Sequence, residues 1–157
     1  MSRMKPGQEP APLRILLADD DTDDSLFFEK ALHALPITTH LKTLKDGEEL
    51  MNYLIENSEN LPDVLFLDLA MPRKTGFECL TEISNHEKLK RLPVFVFTTS
   101  FLSKMDFETE IKTMLNNMGA QGYIRKNTNS DQLQEVIHNA LIGVMEKRTL
   151  PAPGQKL

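Results

Sequence analysis

Short apolar runs alternate along the chain with longer segments in which apolar side chains recur every three or four residues. The apolar runs predict five β-strands, at about Leu13–Ala18, His40–Leu44, Asp63–Leu67, Pro93–Phe97 and Gly122–Arg125. The longer segments predict helices, and the last one carries a regular apolar face. Apolar strands that alternate with helices are typical of a parallel sheet covered on both faces, so we predict an α/β fold.

Acidic, hydroxyl and basic residues follow four of these strands at the point where each strand ends. Asp19 and Asp20 follow the first strand, Asp68 the third, Thr98 the fourth and Lys126 the fifth. Right-handed crossovers bring the carboxyl ends of parallel strands to one edge of the sheet, where such folds bind their ligands. We therefore expect these side chains to converge.

The three aspartates predict a site for a divalent cation. Neighbouring strands lie about 4.8 Å apart, so Asp19, Asp20 and Asp68 would crowd within roughly 5 Å. Two carboxylates at that distance repel by about 3 kcal/mol at an effective dielectric of about 20, and they must bind a cation, protonate or point apart. Hard oxygen ligands with open positions favour Mg²⁺ (or Mn²⁺), which also binds phosphate oxygens. We predict that Asp68 attacks phosphorus, while Thr98 and Lys126 bind phosphoryl oxygens.

The acidic run after the first strand has other interpretations. Aspartates there also cap the following helix and complement its dipole, and we expect Asp21, Asp23 and Asp24 to do only that. An EF-hand begins with the right spacing, but Asp24 replaces its glycine and Lys30 replaces its bidentate glutamate. The aspartate after the third strand has a structural alternative as a strand-end cap.

Length and charge narrow the function classes. The 157 residues suit one domain, predicted at 13–147, with a flexible leader at 1–12 and a flexible tail at 148–157. With 18 basic and 23 acidic side chains the net charge is −5, which argues against nucleic acid or an anionic membrane as a partner. No apolar run approaches the ~20 residues that span a bilayer. The one cysteine, Cys79, is expected to be a buried, inert thiol, and we predict a cytoplasmic location.

The order of these motifs at strand ends resembles the receiver domain of two-component response regulators, over about residues 13–147. The resemblance implies a flavodoxin-like, doubly wound parallel sheet of order 2-1-3-4-5, flanked by five helices. It implies that LLADDD carries the metal-binding pair Asp19 and Asp20 and that LDLAMP carries the phospho-acceptor Asp68. Ala70 would offer its backbone carbonyl to the metal.

Two further motifs carry the switch residues that the resemblance implies. FTTS would provide the switch hydroxyl of Thr98, with Thr99 beside it, and GYIRKN would provide Lys126 and the aromatic switch residue Tyr123. In this family a sensor histidine kinase or a phosphotransfer protein donates the phosphoryl group. The surface of the fourth helix, fifth strand and fifth helix then changes partners. The resemblance implies a signalling receiver rather than an enzyme, with a downstream protein or a second copy of the chain on that surface.

Three features depart from the family pattern. Asn127 stands where proline usually follows the lysine, often with a cis peptide. Because a non-proline cis bond costs about 3–4 kcal/mol, we predict that the Lys126–Asn127 bond is trans or a strained exception. The stretch from Thr98 to Lys126 is several residues longer than usual, which we place around the fourth helix. Ala70 and Ser100 lack the larger polar groups that tune hydrolysis, so we expect an altered phosphate lifetime.

Two other functions stay open from the sequence. A pseudo-receiver would bind partners without phosphorylation, although the full set of acceptor, acidic pair, threonine and lysine argues against it. A haloacid-dehalogenase-type phosphatase also uses a nucleophilic aspartate and Mg²⁺. It needs a second acid two residues after the nucleophile, where this chain has Ala70. We expect no DNA-binding effector, because the last predicted helix ends near the C-terminus.

Overall fold

The computed structural model describes residues 11–98, 108–126 and 129–149. Within them, strands and helices alternate along the chain as β1 Leu13–Ala18, α1 Thr22–His33, β2 Thr39–Leu44, α2 Gly47–Glu56, β3 Val64–Leu67, α3 Gly76–Asn85, β4 Val94–Thr98, α4 Glu108–Asn117, β5 Gly122–Arg125 and α5 Ser130–Thr149. The five predicted strands are confirmed, and their boundaries differ from the expected ones by no more than one residue.

The strands form one parallel sheet in the predicted order β2-β1-β3-β4-β5. Leu17 of β1 lies opposite Phe66 of β3, and Val96 of β4 lies opposite Tyr123 of β5. The chain moves outward from β1 to β2 and then returns to the other side of β1 for β3. This reversal makes the ends of β1 and β3 neighbours, which is the position where doubly wound sheets bind ligands.

Successive strand residues enter two cores, one on each face of the sheet. Leu65 packs in the layer formed with α2, α3 and α4, and the next residue, Phe66, packs in the layer formed with α1 and α5. The ring of Phe28 in α1 lies 4.9 Å from that of Phe66 and 5.3 Å from that of Phe97, between ring centroids. Burying one such side chain contributes about 1.5–3 kcal/mol, so these rings hold α1 against β3 and β4.

Polar caps start the helices that flank the acidic edge. The Asp21 side chain accepts a hydrogen bond of 3.0 Å from the Asp24 N–H and begins α1 immediately after the acidic run. Thr75 and Glu78 form a reciprocal capping box at the start of α3. The expected capping role is therefore confirmed for Asp21, and such a cap contributes about 1 kcal/mol.

Several expectations are revised or lie beyond the described residues. Phe77, Met114 and Val136 recur at helical spacing with other apolar residues, which predicts a core position for each. All three are partly exposed in the structure. Helical spacing gives the direction of an apolar face but not the width that neighbouring elements cover. Cys79 is buried as expected, and burial raises the pKa of its thiol to about 12. Among the described residues, no helix is both long and apolar enough to cross a bilayer.

The expected leader and tail fall largely on residues 1–10 and 150–157, which lie outside the described part of the chain. Thr99, Ser100 and Asn127 lie outside it as well. Three expectations therefore stay predictions: a trans or strained peptide after Lys126, the role of Thr99, and the extra length around the fourth helix.

Candidate functional site

The structure brings the three predicted carboxylates together at the carboxyl ends of β1 and β3. Oxygens of Asp19, Asp20 and Asp68 all lie within 4.8 Å of one another. The hydrogen bonding of the sheet continues one residue past β1 and β3 and fixes the backbone of Asp19 and Asp68. The Asp19 N–H donates to the Leu44 carbonyl and the Asp68 N–H to the Ala18 carbonyl, each over 2.9 Å. Asp19 is 1% exposed and Asp68 3% exposed, whereas Asp20 is open to solvent. An oxygen cluster with one open side suits a divalent cation that keeps water ligands.

The Lys126 ammonium lies among three carboxylates. Its Nζ atom is 2.7 Å from Asp19 Oδ2, 3.1 Å from Asp24 Oδ2 and 3.2 Å from Asp68 Oδ2. The Lys126 N–H donates to the Thr98 carbonyl over 2.8 Å, which holds the lysine at the end of β5 beside β4. The expectation that Asp24 serves only the helix terminus is wrong, since its side chain also binds Lys126.

Burial shifts the pKa values of Asp19, Asp68 and Lys126. It raises the pKa of Asp19 to about 6, although the hydrogen bond from Lys126 opposes the shift. Burial also raises the pKa of Asp68, against the positive charge of Lys126. Burial alone would lower the pKa of Lys126, but its bond to Asp19 and the surrounding negative charges outweigh burial and raise that pKa. The ionised forms of Asp19 and Asp68 are therefore disfavoured by burial, and a bound cation would stabilise these ionised forms.

The Thr98 hydroxyl is fully buried at the end of β4 and has no hydrogen-bond partner among the residues that the structure describes. An unpaired buried hydroxyl costs about 1–3 kcal/mol. Since β4 ends at the same edge of the sheet as β3, the free donor stands on the ligand side of the fold. A donor kept unpaired there suits an anionic oxygen.

Two other predicted residues lie near this edge. The Ala70 N–H donates to Asp68 Oδ1 over 3.3 Å, so the turn after β3 wraps around the carboxylate. Tyr123 of β5 is half-buried against the core layer of α2, α3 and α4, and Lys112 Nζ of α4 lies 5.8 Å from its ring centroid. The metal contact of the Ala70 carbonyl stays a prediction.

Gly76 supports the site in a way that sequence reasoning did not identify. Its N–H donates to the Leu69 carbonyl over 2.9 Å, which closes the loop that follows Asp68. A Cβ atom at this glycine would lie 2.2 Å from the Asp68 carbonyl oxygen and 2.7 Å from Leu69 Cα. The close approach of two backbone segments depends on the fold and leaves no local pattern in the sequence.

Comparisons with known proteins agree with this geometry. Residues 15–138 match the response regulator receiver domain family. The chain is 34% identical to the response regulator Rcp1 of Synechocystis sp., covering 90% of this chain and 95% of Rcp1. It is similar to the structure of the phosphorylated cyanobacterial phytochrome response regulator RcpA, with 30% identity, a TM-score of 0.73, and coverage of 90% of this chain and 100% of RcpA. The Mn²⁺-bound form of Rcp1 is similar as well, with 31% identity, a TM-score of 0.71 and the same coverage. The chain therefore belongs to the response regulator receiver domain family, a signalling module of two-component systems.

Proposed function

We propose that this receiver takes a phosphoryl group onto Asp68 from a sensor histidine kinase or a phosphotransfer protein. A Mg²⁺ or Mn²⁺ ion would be held by Asp19, Asp20, Asp68 and the Ala70 carbonyl. When bound, it supplies charge neutralisation for the phosphoryl oxygens. The proposal depends chiefly on one observation, the convergence of three carboxylates within 4.8 Å with Lys126 Nζ 3.2 Å from Asp68. The Mn²⁺-bound structure of the relative Rcp1 supports a divalent cation here.

The chain's own residues carry the transfer. An ionised oxygen of Asp68 attacks phosphorus, the new O–P bond forms as the P–N bond of phosphohistidine breaks, and the leaving imidazole nitrogen takes a proton from water. Lys126 opposes the rise in the pKa of Asp68 and so favours its ionised form. Its ammonium and the Thr98 hydroxyl then donate to the oxygens of the transferred group. The receiver would catalyse only its own phosphorylation and dephosphorylation.

The output surface is proposed on α4, β5 and α5. Phosphorylation adds negative charge at Asp68, and the Thr98 hydroxyl, which has no hydrogen-bond partner among the described residues, moves toward that charge. Tyr123, already in contact with Lys112 of α4, would repack inward and alter this surface. A downstream protein or a second copy of the chain would bind there, in the cytoplasm.

The likeness to RcpA favours a donor of the phytochrome class. RcpA is a phosphorylated phytochrome response regulator, and the likeness extends over all of its chain at 30% identity. A phytochrome-type histidine kinase is accordingly the first physiological donor to test in place of a small-molecule phosphodonor.

Intact mass after incubation with acetyl phosphate tests the function. We expect the wild type to gain one phosphoryl group in the presence of Mg²⁺ and none with EDTA, and Asp68→Asn to gain none in either. An autophosphorylated phytochrome-type kinase forms a second arm, with an unrelated kinase as its control. An unlabelled wild type would favour the pseudo-receiver, and equal labelling of Asp68→Asn would remove Asp68 as the acceptor. Sustained turnover of a phosphate ester would favour the phosphatase.

Replacing Thr98 with valine is expected to raise stability while impairing the phosphorylated state. Valine keeps the shape but removes a buried hydroxyl that has no partner in the described part of the chain, so the free energy of unfolding should rise by about 1 kcal/mol. The acyl phosphate loses one donor, and its level at steady state should fall about ten-fold. Urea unfolding and intact mass measure the two effects.

Thr81→Val is the matched control for this prediction. The Thr81 hydroxyl is exposed and already donates to the Phe77 carbonyl over 3.0 Å. We expect its stability to stay within about 0.5 kcal/mol of the wild type and its labelling to be unchanged. A Thr98→Val variant less stable than Thr81→Val would show that the Thr98 hydroxyl has a stabilising partner.

A further inference from the structure

Asp24 is a charged residue beside the site, and it has no role in the proposed phosphoryl transfer. Its Oδ2 atom lies 3.1 Å from Lys126 Nζ, and its side chain is 32% exposed. It lies outside the group of Asp19, Asp20 and Asp68, whose oxygens are close enough to share one cation. Asp24 therefore binds the ammonium without being a metal ligand candidate.

The position of Asp24 is set by the packing of α1. Phe28 lies one helical turn later on the same face and is fully buried against Phe66 and Phe97. The ring of Phe97 also lies 5.5 Å from Lys126 Nζ, so the same aromatic cluster supports both members of the ion pair. Asp23, the adjacent acid in the first turn, is exposed. The helix thus aims one of its two first-turn acids at the lysine.

The Lys126 ammonium has as many donors as there are carboxylates around it. An ammonium has three N–H donors, and those of Lys126 face Asp19, Asp24 and Asp68. Two of these carboxylates belong to the cation cluster. A divalent cation on Asp19 and Asp68 would compete with the ammonium for their oxygens and would repel it in a site where charges are poorly hydrated. Of the three carboxylates around the ammonium, that of Asp24 lies outside the cation cluster and stays available to Lys126.

We propose that Asp24 is a positioning residue that holds the Lys126 ammonium when a divalent cation occupies Asp19, Asp20 and Asp68. The inference rests on the proposed function of that cluster. With Asp24 as a fixed partner, the lysine keeps its place and has donors free for phosphoryl oxygens. Asp24 thereby favours both cation binding and the orientation of Lys126.

Calorimetric titration with Mg²⁺ compares Asp24→Asn with Asp23→Asn. Both changes remove one negative charge from the first turn of α1, so their effects on the helix dipole are alike. We expect the dissociation constant for Mg²⁺ to rise about five-fold in Asp24→Asn and less than about two-fold in Asp23→Asn, because only the first loses a direct ion pair. Asp24→Glu restores the charge and should stay within about two-fold of the wild type.

The NMR signal of the Lys126 ammonium supplies a readout that does not depend on activity. An ammonium held by carboxylates exchanges its protons slowly and is visible. Without metal, we expect the signal in the wild type and in all three variants, since Asp19 and Asp68 still hold the lysine. In saturating Mg²⁺ it should persist in the wild type, Asp23→Asn and Asp24→Glu, and disappear in Asp24→Asn.

The outcomes separate this inference from the proposed function. Equal Mg²⁺ affinity of Asp24→Asn and Asp23→Asn, or an ammonium signal that persists in Mg²⁺-saturated Asp24→Asn, would overturn the role of Asp24 alone. A wild type that binds no Mg²⁺ and takes no phosphoryl group from acetyl phosphate would overturn the function and this inference together. Urea unfolding in EDTA confirms that each variant is folded.

Discussion

Replacing Lys126 with methionine is expected to lower the free energy of unfolding by about 3 kcal/mol near neutral pH when no divalent cation is present. The ammonium lies 2.7 Å from Asp19 Oδ2 and 3.2 Å from Asp68 Oδ2, and both carboxylates are buried. Methionine retains most of the apolar stem but removes the charge, so the two acids lose their common counter-ion. The cost of an uncompensated buried charge exceeds any gain from the apolar replacement.

The loss should depend on pH in a defined direction. The folded pKa of Asp19 is about 6 against 3.8 for the free side chain, so the folded state binds this proton more tightly than the unfolded state. The stability from this group is therefore fully present below pH 3.8 and is lost as pH rises through about 6. Without Lys126, Asp19 and Asp68 lose the positive charge that lowers their pKa values. The pH range over which their protonation stabilises the folded state therefore extends upward. Acid should therefore stabilise Lys126→Met more than the wild type.

Urea unfolding at about pH 7.5 and about pH 5.5, with and without Mg²⁺, measures these effects. Mg²⁺ should stabilise the variant more than the wild type, because a ligand that binds only the folded state adds stability and the variant lacks the competing ammonium. Lys30→Met, at an exposed lysine of α1, is the control and should change stability by less than about 0.5 kcal/mol. A Lys126→Met variant as stable as this control at neutral pH without metal would contradict the account.

The sheet was predictable because its central strands, β1, β3 and β4, are short and almost entirely apolar. VLFL has no polar side chain and LRILLA has only Arg14, and in the structure every residue of β3 is buried. Such strands need helices on both sides, which fixes parallel pairing and brings the polar residues that follow them to one edge. The convergence of Asp19, Asp68, Thr98 and Lys126 at that edge is therefore a consequence of local patterns.

The role of Asp24 was not predictable in this way. An acid in the first turn of a helix is already explained by the cap and the dipole, so the local sequence calls for no further partner. Its contact with Lys126 depends on the rotation of α1, which the burial of Phe28 against Phe66 and Phe97 determines. Long-range packing sets that rotation. The exposure of Met114 and Val136 has the same origin, because periodicity gives the direction of an apolar face but not its buried width.

Replacing Gly76 with alanine is expected to destabilise the protein and to slow phosphorylation. Alanine favours the helix by up to about 1 kcal/mol at an interior position, so propensity alone predicts a gain. The new Cβ would lie 2.2 Å from the Asp68 carbonyl oxygen and 2.7 Å from Leu69 Cα, which are backbone atoms without freedom to rotate away. The loop that carries Asp68 must shift, and we expect a net loss of about 2–3 kcal/mol in the free energy of unfolding.

Gly143→Ala separates propensity from steric conflict. Gly143 lies within α5, and a Cβ there would meet nothing within 4 Å. This variant should be more stable than the wild type by about 0.5–1 kcal/mol and should accept phosphoryl groups from acetyl phosphate at the wild-type rate. Gly76→Ala should be labelled at least about ten-fold more slowly, since a displaced nucleophile loses its alignment with phosphorus. If both variants gained stability, the loop after β3 would have to be adaptable, and the close approach of Gly76 to Asp68 would not be what positions the acceptor.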